Sequence, residues 1–358
     1  MPRNLVLCLD GTAGQVRGPG DSNSVRVWEL LDQSDDAAQL AYYDPGVGTF
    51  ASAGAWSGLA RWLSRVGGNI LGTGMRENLG EAYLWLVEHW QPGDRVFVFG
   101  FSRGAFTARA LVGMLRAIGA MRPGSANQLQ YAVAAYARKG GEPALPWPEV
   151  QRFSRLFARQ QEHGSTVPVA YLGLWDTVKA LGVARFAPKW AFTRSLPNVQ
   201  RIRHAIAIDE WRRPFAEYAV RLDPDEKRMK VLREPQRLEE VWFAGVHTDV
   251  GGTHPDEAEL STVALKWVLE GAIEEGLLVR PQATRNLFAT VTAASARGIA
   301  HRIAWPWAVM VPRRRSIPEG AMIHASVRAR REAMPGYAPH LPAAHTWVDE
   351  GWAGEVEP

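Results

Sequence analysis

Short unbroken apolar runs alternate along the chain with longer stretches of helical periodicity. The first run, residues 4–9, stops abruptly at Asp10-Gly11-Thr12. A Gly-, Pro- and Asp-rich loop follows, and a helix is predicted near 25–31 with Ser22 or Asn23 as its N-cap. Residues 42–74 read as a long glycine-rich loop. Leu79, Ala82, Tyr83, Leu86, Val87 and Trp90 fall at helical spacing and predict a helix over 75–90, ended by Pro92-Gly93-Asp94. Val96-Phe97-Val98-Phe99 is then a continuous apolar run, as in a strand buried on both faces of a parallel sheet. A helix is predicted from Gly104 past Leu115. Two further buried strands, 169–175 and 241–246, end in Asp176-Thr177 and His247-Thr248-Asp249, and 260–269 is a helix closed by Gly271. The segment 183–235 has mixed character. Strands alternating with helices imply an α/β fold with a mostly parallel central sheet. No linker or repeat divides the chain, so a single domain over 1–358 is expected, with helical cap insertions within 120–165 and 184–235.

Composition narrows the class. With 46% apolar and 22% charged residues, the chain is neither disordered nor fibrous. The single cysteine, Cys8, excludes an internal disulfide framework and is expected to be a core residue. Forty-one basic against 37 acidic residues leave a net charge of +4, too mild for a nucleic-acid footprint. No apolar run approaches the roughly 18 residues of a membrane span, and the N-terminal run is too short for a signal peptide. The expected location is the cytoplasm, with leaderless export left open.

The candidate chemistry centres on Gly100-Phe101-Ser102-Arg103-Gly104. G-x-S-x-G alone is a weak pattern. Here a buried strand precedes it and a helix follows it, which is the setting of a nucleophile elbow. Gly100 and Gly104 would let strand and helix close on a strained serine. A serine hydroxyl needs a base and a group that orients the base. The order Ser, acid, His at successive strand ends selects Ser102, Asp176 and His247. Asp249, Asp209 and Glu210 compete for the acid, and Asp10 and Asp249 stand as auxiliary acids. His204 (in an expected helix), His254, His301 and His324 compete for the base. The oxyanion hole is assigned to the backbone N–H of Arg103 and to Gly11 or Thr12 at the end of the first strand.

Several stretches in order resemble one family. They are Leu9-Asp10-Gly11-Thr12, Tyr43-Asp44-Pro45-Gly46-Val47-Gly48-Thr49, Gly100 through Arg109, Trp175-Asp176-Thr177-Val178, Gly245 through Gly252, and Ile323-His324-Ala325-Ser326-Val327. The sequence is similar to the type VI secretion lipase effector catalytic-domain family of α/β hydrolases, over about residues 4–340. The resemblance implies an α/β-hydrolase fold, a serine esterase or phospholipase mechanism, and Ser102 as nucleophile. It also marks Asp176 and His247. Lys179 departs from the small residue usual in the family at that point.

Residues 305–315 combine an aromatic apolar run with Arg313-Arg314-Arg315. They are expected to form a buried strand and a solvated loop, the alternative being peripheral contact with an anionic membrane. Trp56 and Trp62 would line either a substrate mouth or the core. His247-Thr248-Asp249 and His254 with Asp256 offer metal ligands, but there is no H-E-x-x-H or paired-Cys motif. No metal and no cofactor are therefore expected. The expected activity is serine-dependent hydrolysis of a carboxylic ester, with lipid or phospholipid substrates preferred. The alternatives are an amidase or thioesterase using the same triad, and a non-catalytic binding protein on the same fold. The oligomeric state is left open.

Overall fold

The computed structural model describes residues 2–11, 18, 20–46, 68–137, 147–178, 190–212, 215–222, 231–232, 234–254, 257–301 and 313–354. Thr12, Trp56, Trp62, Lys179, Asp256 and 302–312 lie outside these residues.

Eight strands form one sheet: β1 (Asn4–Leu9), β2 (Gln39–Asp44), β3 (Arg95–Phe101), β4 (Val169–Trp175), β5 (Val199–Ala207), β6 (Arg237–Phe243), β7 (Ala321–His324) and β8 (His345–Val348). Every neighbouring pair is parallel, in the order β2-β1-β3-β4-β5-β6-β7-β8. The main helices are α1 (Asn23–Leu30), α2 (Gly68–His89), α3 (Arg103–Ala117), α4 (Leu129–Tyr136), α5 (Trp147–Phe157), α6 (His247–Gly251), α7 (Glu259–Glu274), α8 (Pro281–Ala289) and α9 (Ala325–Ala333). With the strained strand-to-helix turn at β3, described below, this is the α/β-hydrolase fold. No described helix is long and apolar enough to cross a membrane.

The apolar runs are continuous because both faces of the sheet are covered. Leu5, Leu7 and Leu9 of β1 point to one side and pack with Leu79, Tyr83 and Leu86 of α2 and Phe106 and Leu111 of α3. Val6 and Cys8 point to the other side, with Val27 of α1 and Leu265 and Val268 of α7. Cys8 is a buried core residue, and burial pushes its thiol up. Each fully buried Leu or Phe in these layers contributes about 1.5–3 kcal/mol of transfer free energy.

Several elements differ from the sequence expectation. α1 is capped by Ser22, whose side chain accepts from Val25 N at 3.3 Å. Asn23 instead is buried and donates to the carbonyls of Val250 and Ser261. Residues 42–44 belong to β2, and α2 begins at Gly68, so the loop expected over 42–74 is shorter at both ends. β5 lies inside the 184–235 window assigned to an insertion and is a central strand. It was hidden because Arg201 and Arg203 interrupt its apolar pattern. Both arginines are buried, held by Glu239 at 2.8 and 3.2 Å. His204, expected on a helix, lies on this strand. β6 ends at Phe243, ahead of the expected 246, because the chain turns through Gly245 at φ 104°. His247 opens the short helix α6. The 120–165 window holds α4 and α5.

Candidate active site

Strand β3 delivers Ser102 onto a turn with φ 59° and ψ −121°, a conformation that side-chain-bearing residues rarely adopt. The turn closes because two positions lack a Cβ. A Cβ on Gly100 would lie 2.7 Å from Ala105 Cα, and one on Gly104 would collide with the carbonyl oxygens of Leu9 and Asp10. Arg103 opens α3, so its N–H has no partner within the helix and lies at the positive end of the helix dipole.

The ends of β4 and β6 bring the other two residues to the serine. His247 Nε2 is 2.8 Å from Ser102 Oγ, and His247 Nδ1 is 2.6 Å from Asp176 Oδ2. An ionised carboxylate can only accept, so Nδ1 carries the proton and Nε2 accepts from the serine hydroxyl. All three residues are buried. The imidazole is held between two rings, stacked on Phe101 at 4.8 Å and edge-on to Phe215 at 4.9 Å. Gly251 makes the first contact possible, since a Cβ there would overlap the Phe101 ring.

Asp176 has a partner that the sequence concealed. Arg315 donates from Nη1 to Oδ1 at 2.5 Å and from Nη2 to Oδ2 at 2.9 Å. The guanidinium is buried and also bonds the carbonyls of Ala207 and Phe215. Ala207 N completes the shell of Oδ1 at 2.9 Å. Burial alone would raise the Asp176 carboxyl; the Arg315 charge and the His247 hydrogen bond outweigh it and hold the group well below the usual carboxylate range. Arg315 therefore does not belong to the solvated loop expected there. Its only sequence signal was membership of an arginine run.

The rival residues are engaged elsewhere. Asp249 accepts from Val246 N and from His301 N and Nδ1, away from the His247 ring. Asp209 accepts from Gly245 N and Tyr337, and Glu210 pairs with Arg212 and accepts from His247 N at 3.3 Å. His204 lies between Glu240, Arg109 and Thr177, while His324 caps α9 and meets Asp349. Gly11 approaches closely enough that a Cβ there would sit 3.2 Å from Ser102 Cβ. Its N–H donates to Asp10 Oδ1 at 2.6 Å, so the amide expected to face an oxyanion faces its neighbour's carboxylate. Tyr43 donates to the other Asp10 oxygen at 3.0 Å. Burial pushes Asp10 up to about 6. The auxiliary pair Asp10 and Asp249 thus hold separate sets of partners.

A family model described as "T6SS, Phospholipase effector Tle1-like, catalytic domain" matches residues 3–271. The chain belongs to this Tle1-like catalytic-domain family. The match takes in β1 to β6 and the Ser102, Asp176 and His247 positions; Arg315, β7 and β8 lie beyond it. An uncharacterized protein of Saccharomyces cerevisiae is 28% identical over 222 residues, which is 60% of this chain and 32% of that protein. This Tle1-like chain thus spans about a third of that relative's length. A crystal structure of an uncharacterized protein from Pseudomonas aeruginosa is similar at 17% identity and TM-score 0.42, covering 89% of this chain and 57% of that one. The Tle1 effector bound to the VgrG spike of the type 6 secretion system is similar at 17% identity and TM-score 0.38, over 71% and 51%. An esterase of Thermogutta terrifontis bound to butyrate is similar at 14% identity and TM-score 0.37, over 77% and 85%.

Proposed function

We propose that this chain cleaves a carboxylic ester of a lipid or phospholipid through an acyl-enzyme formed on Ser102. The observation that carries the proposal is the continuous Ser102–His247–Asp176 hydrogen-bond line, 2.8 and 2.6 Å long and shielded from water. His247 Nε2 takes the hydroxyl proton as Ser102 Oγ attacks the carbonyl carbon. Asp176 fixes the ring's tautomer and stabilises the imidazolium that forms. The Arg103 N–H, free of any partner within its helix, meets the developing oxyanion. His247 then protonates the departing alcohol, the carbon–oxygen bond breaks, and the acyl group stays on Ser102. Water, deprotonated by His247, releases the acid and restores the serine. The lipid preference rests on membership of a family described by its phospholipase effectors.

Labelling with a fluorophosphonate, alongside release of fatty acid from phosphatidylcholine vesicles and from p-nitrophenyl esters, tests the proposal. Wild type should label and hydrolyse, while Ser102→Ala and His247→Ala should do neither. A Ser102→Ala protein with wild-type turnover would overturn it. Ester cleavage without phospholipid cleavage would keep the mechanism and remove the lipid preference.

A further inference from the structure

Behind the reacting histidine, α6 carries a second polar cluster that the ester chemistry does not use. Asp249 is almost fully buried, with a side chain 1% exposed. Its Oδ1 lies 2.6 Å from His301 Nδ1 and 3.5 Å from His254 Nε2. One nitrogen from each imidazole and one Asp249 oxygen lie within 4.8 Å of one another, the only such group of three among the described residues. Three separate segments meet here. Asp249 comes from α6. His254 is turned back over it by Gly252 and Thr253, at φ 90° and 93°. His301 follows the turn after α8, far along the chain.

The carboxylate is already aimed. Asp249 Oδ2 accepts backbone N–H groups from Val246 and His301, which fixes the carboxylate and turns Oδ1 toward the histidines. The two rings are stacked, with centroids 3.4 Å apart and planes within 4°. Protonating both rings at that separation would set like charges against each other. A neutral imidazole instead presents one lone pair. His301 stands between two carboxylates, with Nε2 3.0 Å from Glu257 Oε2 and Nδ1 2.6 Å from Asp249 Oδ1, so Glu257 holds the Nε2 proton and the Nδ1 proton, donated to Asp249, is the one an ion replaces. A carboxylate holding the far nitrogen of a histidine is the usual support of a metal ligand. Thr248 Oγ1, 2.8 Å from His254 Nε2, borders the same space.

We propose that Asp249, His254 and His301 bind one divalent transition-metal ion, zinc by ligand chemistry, with Glu257 orienting His301. Two imidazoles and one carboxylate suit zinc, with a position left for water. Ligand atoms around a tetrahedral zinc stand about 3.3 Å apart, so the cluster closes on the ion as the two rings turn out of their stack. The ion displaces the proton shared between His301 Nδ1 and Asp249, and that proton leaves to solvent. It ties the turn at 252–254 and the segment at 301 onto α6, the helix that begins with His247.

The test uses the full chain, stripped with chelator and titrated with zinc chloride by calorimetry, with thermal unfolding followed in parallel. Wild type should bind one equivalent and unfold at higher temperature with zinc than without. His254→Gln and His301→Gln should each weaken binding at least tenfold, and Glu257→Gln by about tenfold. Replacing His163, an exposed histidine outside the cluster, should change nothing. Cobalt added to stripped wild type should give the visible absorption of a low-coordinate nitrogen–oxygen site, a readout independent of any variant's folding. Absence of zinc heat, thermal shift and cobalt spectrum in wild type would overturn the proposal. So would binding that survives both histidine replacements, which would mark surface association.

Discussion

Ser102 concentrates two opposing demands on one residue. Its backbone is held at φ 59°, which costs about 1–3 kcal/mol for a residue with a Cβ, and its hydroxyl is the proposed nucleophile. Ser102→Gly should therefore unfold at a higher temperature than Ser102→Ala, while both lose turnover by roughly 10⁴–10⁶-fold; equal melting points would show the turn to be unstrained. Asp176 and Arg315 form the second such pair. Removing the guanidinium with Arg315→Met leaves a buried carboxylate short of its partner and should destabilise the protein by about 3–5 kcal/mol in urea unfolding. The pH dependence has a definite sign. Because the folded Asp176 titrates below its ordinary value, its stabilisation is present above the pH where an unfolded aspartate titrates, about 3.9, and is lost as pH falls below it. Urea midpoints taken from about pH 5 to pH 3 should fall further for wild type than for Asp176→Asn. The variant keeps Arg315 on the carbonyls of Ala207 and Phe215. Parallel declines would separate acid unfolding from this carboxylate.

At the scale of elements, the elbow depends on β1, β3 and α3 meeting without intervening side chains. Gly104→Ala would drive a Cβ into two backbone oxygens that have no rotamer to change. It should cost about 3 kcal/mol and abolish fluorophosphonate labelling, measured together by chemical unfolding and gel fluorescence; a labelled, stable variant would show that the turn yields. The elements legible from sequence were those whose signals are local. β1 and β3 are unbroken apolar runs, the 75–90 segment has helical spacing, and the serine stands between a strand and a helix. β5 was illegible because a buried strand normally excludes arginine. Arg201 and Arg203 are tolerated only because Glu239 and the α7 face meet them, and pairing across such distances leaves no mark in a local window. The same reason hid Arg315, 139 positions from the aspartate it holds. The Asp249 cluster was half visible, through His254, and lacked the distant His301.

For the molecule as a whole, the parallel order places the ends of β3, β4 and β6 on one rim, which brings Ser102, Asp176 and His247 together. β7 and β8 lie beyond the family match yet complete the sheet and cover the edge of β6. A chain cut after residue 300 should accordingly expose that edge, bind hydrophobic dye and fail to label; a soluble, labelled fragment would show that the last two strands and Arg315 are dispensable. The position of Arg315 also sets a timetable for biosynthesis. The ribosome releases Ser102, Asp176 and His247 in turn, but the charge that stabilises the buried Asp176 emerges 68 residues after the histidine. At about 5–20 residues per second, that interval is about 3–14 s. Throughout it, the nascent chain carries the proposed serine, acid and base without the guanidinium that holds the acid, so the proposed chemistry is complete only once the segment bearing Arg315 has arrived.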